Sequence, residues 1–146
     1  MKKILLAIIL VICFCGTANA QSTLALQEKC AEFVKKSLGE GGVIDRDKTG
    51  GFTMIGYTNH YNKKLDKCFA LVSWTTLTHT IKGQEQTHFD QELWDAMDGK
   101  QLGVYYSNRV KEGSSWKYYE NGCKVGDTIC HSKTEFEALI KPYMEE

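Results

Sequence analysis

The stretch "KCFALVSWTTLTHT", residues 67–80, decides how the chain folds. Cys68, Ala70, Val72 and Trp74 occupy alternate positions, and Phe69, Leu71 and Leu77 occupy the intervening ones. Successive side chains of an extended segment point to opposite faces. Both faces here are therefore apolar, which marks a central strand covered at least in part on each side. β-branched and aromatic residues support the extended reading.

Working outward, Thr53 to Tyr61 alternates loosely and reads as a strand before it, joined through the turn "NKKLD" at 62–66. A tight turn at Lys82-Gly83 leads to a third strand, Gln86 to Met97. Asp98-Gly99 predicts a two-residue type I′ hairpin, whose two central residues need positive φ. Gln101 to Ser107 follows as a fourth strand, and "SSWKYYENGC" at 114–123 offers a fifth. Upstream, "GEGGVIDRDKTGGF" at 39–52 reads as a glycine-rich loop.

Helical spacing appears at the two ends. Leu26, Cys30, Phe33 and Val34 recur at three and four within Ser22 to Leu38, with Ser22 or Thr23 as cap and Gly39 as stop. In the closing "HSKTEFEALIKPYMEE", Ser132 and Glu135 form a Ser-x-x-Glu capping box. Phe136, Leu139, Ile140 and Tyr143 form its apolar stripe, and Pro142 predicts an early end to the regular helix. The expected fold is α+β: an antiparallel meander of four to five strands, with an N-terminal and a C-terminal helix packed on one face or end of it.

The first twenty residues read as a signal peptide: Lys2 and Lys3, the apolar run Ile4 to Cys15, then the small-x-small site Ala18-Asn19-Ala20. As a helix that run spans about 18 Å, short of a bilayer core of about 30 Å. A lipoprotein signal would need a small residue before Cys13 or Cys15, where Ile12 and Phe14 stand. Residues 21–146 then form a single exported domain, periplasmic or secreted. It contains no later run of apolar residues long enough to span a membrane. The 18 basic residues balance 18 acidic ones, without the basic excess of a nucleic-acid binder.

Cys30, Cys68, Cys123 and Cys130 remain after the leader, an even set in an exported chain, and imply two disulfides. Three pairings exist. The short separation of Cys123 and Cys130, with Gly126 between them, favours Cys123–Cys130 and hence Cys30–Cys68. The latter closes a loop of about 39 residues, worth about 3–4 kcal/mol in the chain-entropy model. A four-cysteine metal site lacks the Cys-x2-Cys knuckle.

Other candidate chemistry is sparse. "DRDKTG", Asp45 to Gly50, matches the start of an EF-hand loop through Asp45 and Asp47, but Gly56 stands where the bidentate Glu belongs. With the turn at Lys82-Gly83, His79 faces Gln86 and His88 faces Leu77, placing the two imidazoles diagonally on one sheet face as a weak metal candidate. A one-residue slip would separate them. No Gly-x-Ser-x-Gly or other nucleophile motif is present, and no cofactor is implied. Tyr105, Trp116, Tyr118 and Tyr119 form an aromatic segment suited to a protein or glycan surface; alternation sends Tyr105 and Tyr106, and Tyr118 and Tyr119, to opposite faces. Lys63, Lys64 and Lys67 read as solubilising charge beside a turn, with an anionic partner as the alternative.

The segments "YTNHYNKKLDKCF" and "ELWDAMDGKQLGVY", with the closing C-x6-C-x-S-x-x-E-F, resemble a set of small exported bacterial proteins of uncharacterised function. The resemblance implies export and brings no catalytic residues. The expected function is binding, as a non-enzymatic interaction or inhibitor protein with a protein or glycan partner in the cell envelope. The rival is a small extracytoplasmic hydrolase or metal-dependent enzyme. Intact mass of the exported protein should correspond to a start at Gln21; a lipidated cysteine would contradict this.

Overall fold

The computed structural model describes residues 23–48, 50–79 and 84–145. The leader read over 1–20, the helix cap at Ser22 and the turn at Lys82-Gly83 lie outside the described residues. A first helix, α1, covers 23–38. Seven strands follow: β1 (Gly42–Arg46), β2 (Phe52–Asn62), β3 (Lys67–His79), β4 (Glu85–Asp95), β5 (Lys100–Glu112), β6 (Ser115–Val125) and β7 (Thr128–Ile129). The chain closes with α2 (Lys133–Met144). The strands form one antiparallel sheet in chain order, β1 to β7.

β3 sits near the middle of this meander, and adjacent residues of it face different helices. Cys68, Ala70 and Val72 pack with Cys30 and Val34 of α1. Phe69 packs with Phe136 and Ile140 of α2, with Leu71 at the edge of the same cluster. The helices therefore lie on opposite faces of the sheet, not on one face. The two apolar faces of β3 require this arrangement, since one helix covers only one of them.

Each helix is tied to the sheet covalently. Cys30–Cys68 joins α1 to β3 with Cα atoms 5.5 Å apart. Cys123–Cys130 bridges β6 to the segment entering α2, with Cα atoms 4.9 Å apart. Where β1 stops pairing with β2 at Ile55, Gln27 of α1 serves the edge beyond: the Tyr61 amide donates to its Oε1 at 2.7 Å, and its Nε2 donates to Asn59 Oδ1 at 2.9 Å. α2 approaches the sheet over Gly103, where a Cβ would stand 3.1 Å from Val125 Cγ2 and 3.4 Å from the Phe136 ring.

Several expectations change. Among the described residues the sheet has seven strands, not four or five. The glycine-rich segment contributes β1, which pairs Gly42 with Ile55 and Arg46 with Phe52. On α1 the buried stripe is Cys30, Val34 and Leu38, while Leu26 and Phe33 lie outside it, more than a third exposed. A single helix laid on a flat face buries a strip narrower than the full apolar arc.

The Asp98-Gly99 turn is not type I′, because only Gly99 has positive φ. It spans residues 96–99. Ala96 N donates to Cys68 O at 2.8 Å, and Asp98 N donates to Asp95 Oδ1 at 3.2 Å. Pro142 does not shorten α2. The last turn is held from outside: Asn62 Nδ2 donates to the carbonyls of Pro142 at 2.9 Å and Tyr143 at 3.3 Å, and Tyr143 stacks edge-on against Phe69. Half of the expected capping box forms: Glu135 N donates to Ser132 Oγ at 3.2 Å, while the Glu135 carboxylate reaches one residue further back and accepts from His131 N at 2.8 Å rather than from the Ser132 amide.

The turn at 63–66 uses Asp66 with φ 52° and an Asn62 side chain that accepts from Leu65 N at 3.0 Å. Lys67, the last lysine of the basic run, bonds both Asp95 and Asp98, whose carboxylates raise its pKa. Among the described residues no helix is long and apolar enough to cross a membrane.

Phe136 is fully buried and Phe33 is 43% exposed. In urea unfolding, Phe136→Ala should lose about 3–5 kcal/mol and Phe33→Ala about 0.5 kcal/mol or less. The reverse order would contradict this packing.

Candidate ligand-binding face

α2 covers only part of its face of the sheet. Along β3 the residues on that face run Phe69, Leu71, Ser73, Thr75, changing from apolar to hydroxylated midway. β4 changes in the same sense, from Leu93 to Gln91. So does β5, from buried Tyr105 through Ser107 to Arg109. The change marks where helical cover ends. Bulges between Leu93 and Trp94 and between Tyr106 and Ser107 flank this region and add local twist.

The result is a concave site of about 450 Å³, floored by β3, β4 and β5. Ser73, Thr75, Phe89 and Gln91 line one side, and Ser107, Arg109, Tyr118 and Lys133 the other. Its volume lies in the range of small-ligand sites. Trp74 and Asp90 reach it through their backbones, since alternation sends their side chains to the α1 face.

Arg109 is the dominant charge. Its guanidinium carbon lies 5.3 Å from the Phe89 ring centroid and 4.7 Å from that of Trp116. Among the described residues its side chain makes no ion pair or hydrogen bond. The other cations nearby are engaged: Lys133 Nζ lies 3.6 Å from Glu137, and Lys111 Nζ 3.2 Å from Glu85. Gln91 Nε2 donates to Ser73 Oγ at 3.2 Å, while its Oε1 is buried without a partner among the described residues, as is Thr87 Oγ1 on the same face.

At the α2 end of the site, Tyr105 is 2% exposed and its hydroxyl lies 2.5 Å from that of Tyr118. It also donates to Glu120 Oε1 at 3.2 Å, which accepts from Lys133 N at 3.2 Å. Burial, then the bond to Tyr118, raises the Tyr105 pKa above its ordinary 10.0.

The aromatic segment divides accordingly. Trp116 and Tyr118 stand on the face of the site and are 43% and 55% exposed. Tyr105 belongs to the core and offers the site its hydroxyl end. Tyr119 pairs with Asn108 and projects to the α1 face. Residues 115–122 of β6 pair with β5 alone, because β7 reaches only Lys124 and Val125.

The histidines separate. His79 pairs with Glu85 and His88 with Thr76, one residue away from the expected register, so His79 lies on the α2 face and His88 on the α1 face. His88 stands beside Asp90, whose pKa is raised by burial and, to a lesser degree, by Glu92, against the lowering effect of His88. Asp47 is consumed in the β1–β2 turn, where its Oδ1 accepts from Gly51 N at 2.8 Å, and Asp45 lies in β1 opposite Thr53. Among the described residues no three His, Cys, Asp or Glu side chains are grouped to hold a metal.

A second cavity, of about 480 Å³, lies between α1 and the 96–99 turn, walled by Val34, Leu38, Val72, Trp94 and Met97. Sequence reading missed Phe89, Gln91 and Arg109. The available signal was the mid-strand change of polarity on β3, β4 and β5. No protein-family model, no curated protein and no solved structure matches the chain.

Because Tyr105 holds its proton more tightly when folded, its contribution to stability is intact below pH about 10 and falls above it, where the unfolded chain ionises first. Urea midpoints should decline more steeply above pH 10 in the wild type than in Tyr105→Phe; equal slopes would contradict this.

Proposed function

We propose that the protein is an exported, non-enzymatic binding domain whose partner, a protein or glycan of the cell envelope, docks on the concave β3–β6 face. The observation that carries this reading is Arg109: a guanidinium held between Phe89 and Trp116 at the wall of an open cavity, with no carboxylate among the described residues to neutralise it. Aromatic and arginine side chains dominate the energetics of binding surfaces. Trp116 and Tyr118 extend the site outward to the β6 edge.

Binding is favoured over hydrolysis by what the cavity offers. Its side chains are hydroxyls, an amide, phenols and cations, and the nearby carboxylate of Glu120 is occupied by Tyr105 and Lys133 N. Among the described residues that line it, no pair of acid side chains converges for acid–base work. The two disulfides suit an oxidising compartment, in keeping with the leader and with the resemblance to small exported bacterial proteins.

The test is capture from the source envelope with the oxidised domain, comparing wild type with Trp116→Ala, Arg109→Ala and Phe33→Ala. Recovery of any captured partner should fall about tenfold for the first two, as for loss of an interface anchor, and remain unchanged for Phe33→Ala. Equal recovery by all four proteins would overturn the assignment of this face.

A further inference from the structure

We propose that the concave face takes an acidic sugar: a hydroxylated ring whose carboxylate pairs with Arg109 and whose hydroxyl donates to Gln91. The inference rests on the reading of this face as the binding surface and names the ligand chemistry it selects.

Three features define that chemistry. The first is a fixed, unpaired guanidinium. It is flanked by Phe89 and Trp116, and the planar two-oxygen group that matches a guanidinium in bidentate fashion is a carboxylate. The second is an unanswered acceptor. One end of the Gln91 amide is bonded to Ser73, while the other is buried with no partner among the described residues and calls for a donor. The third is a wall with hydroxyls spread over it, from Ser73, Thr75, Ser107 and Tyr118, with Phe89 as the apolar patch.

Simpler ligands satisfy only part of this set. A fully ionised inorganic anion answers Arg109 but brings no donor for Gln91. An apolar acid brings the carboxylate and wastes the hydroxylated wall. A neutral sugar brings the hydroxyls and leaves the arginine unpaired. A uronic acid supplies all three.

The geometry accommodates one ring. Gln91 stands opposite Tyr105, four residues along β5 from Arg109. Their backbones are thus about 13 Å apart along the strands, and the two side chains shorten the gap. The paired residues Phe89 and Ser107 lie between them as the floor.

The test is a titration of the ¹⁵N-labelled oxidised domain with D-glucuronate, D-glucose and benzoate in parallel, followed by amide shifts. D-glucuronate should give saturable shifts centred on Gln91, Ser107 and Arg109, with Kd about 1 mM. Glucose and benzoate should each bind at least about tenfold more weakly. Arg109→Leu should lose about tenfold for glucuronate, as expected for a charge-assisted pair, and Arg109→Lys should retain part of the affinity. The spectrum of each free variant, unchanged away from the site, separates loss of binding from loss of fold. Equal affinity for glucose and glucuronate, benzoate binding as tightly as glucuronate, or shifts centred elsewhere would overturn the proposal. Silence with all three probes, while envelope capture still depends on Trp116 and Arg109, would overturn the acidic sugar and leave the binding face standing. Silence together with capture indifferent to those residues would overturn both.

Discussion

Cys68 and Phe69 are neighbours in the chain, both are almost fully buried, and they point in opposite directions. That constraint organises the molecule. A strand buried on both faces needs two covers, and a chain this short supplies them with one helix from each end. α1 reaches the Cys68 side and is bonded to it. α2 reaches the Phe69 side and is fixed at both ends, by Cys123–Cys130 at its entry and by Asn62 at its last carbonyls.

Two short helices do not cover a sheet whose longest strands run to thirteen residues. Each leaves part of its face bare, and the sequence adapts to the exposure. On the α2 side the bare part is filled with hydroxyls, an amide and Arg109, and bulges on β5 and β6, at Leu102 and Asn121, add twist beside it. The site is thus a consequence of incomplete cover. Tyr105 joins the two regimes: its ring packs beside Phe136 in the core and its hydroxyl meets Tyr118 at the cavity wall.

Much of this was legible in residues 67–80, where alternation gave the central strand and its two apolar faces. The Ser132 cap and both disulfide pairs were legible too, because each depends on local spacing or on an even cysteine count. What escaped depended on distant partners. β1 lies among glycines and gains its structure from β2. The helices' opposite placement was implied by Phe69 and Leu71, yet a sequence does not show which helix reaches which face. The pairing of β3 with β4 is offset by one residue from the expected register, and that single step carries His79 and His88 to different sides. The aromatic segment was visible as composition, whereas Arg109 acquires its meaning only between Phe89 and Trp116, which come from separate strands.

The central claim is that β3 is covered by different helices on its two faces, with the α2 face open beyond Ser73. A nuclear Overhauser spectrum of the oxidised protein tests it most directly. The account predicts cross-peaks from the Ala70 methyl to Val34 of α1, from the Phe69 ring to Tyr143 of α2, and none from Phe89 to either helix. Cross-peaks from Ala70 and Phe69 to the same helix, or from Phe89 to any helical residue, would contradict it.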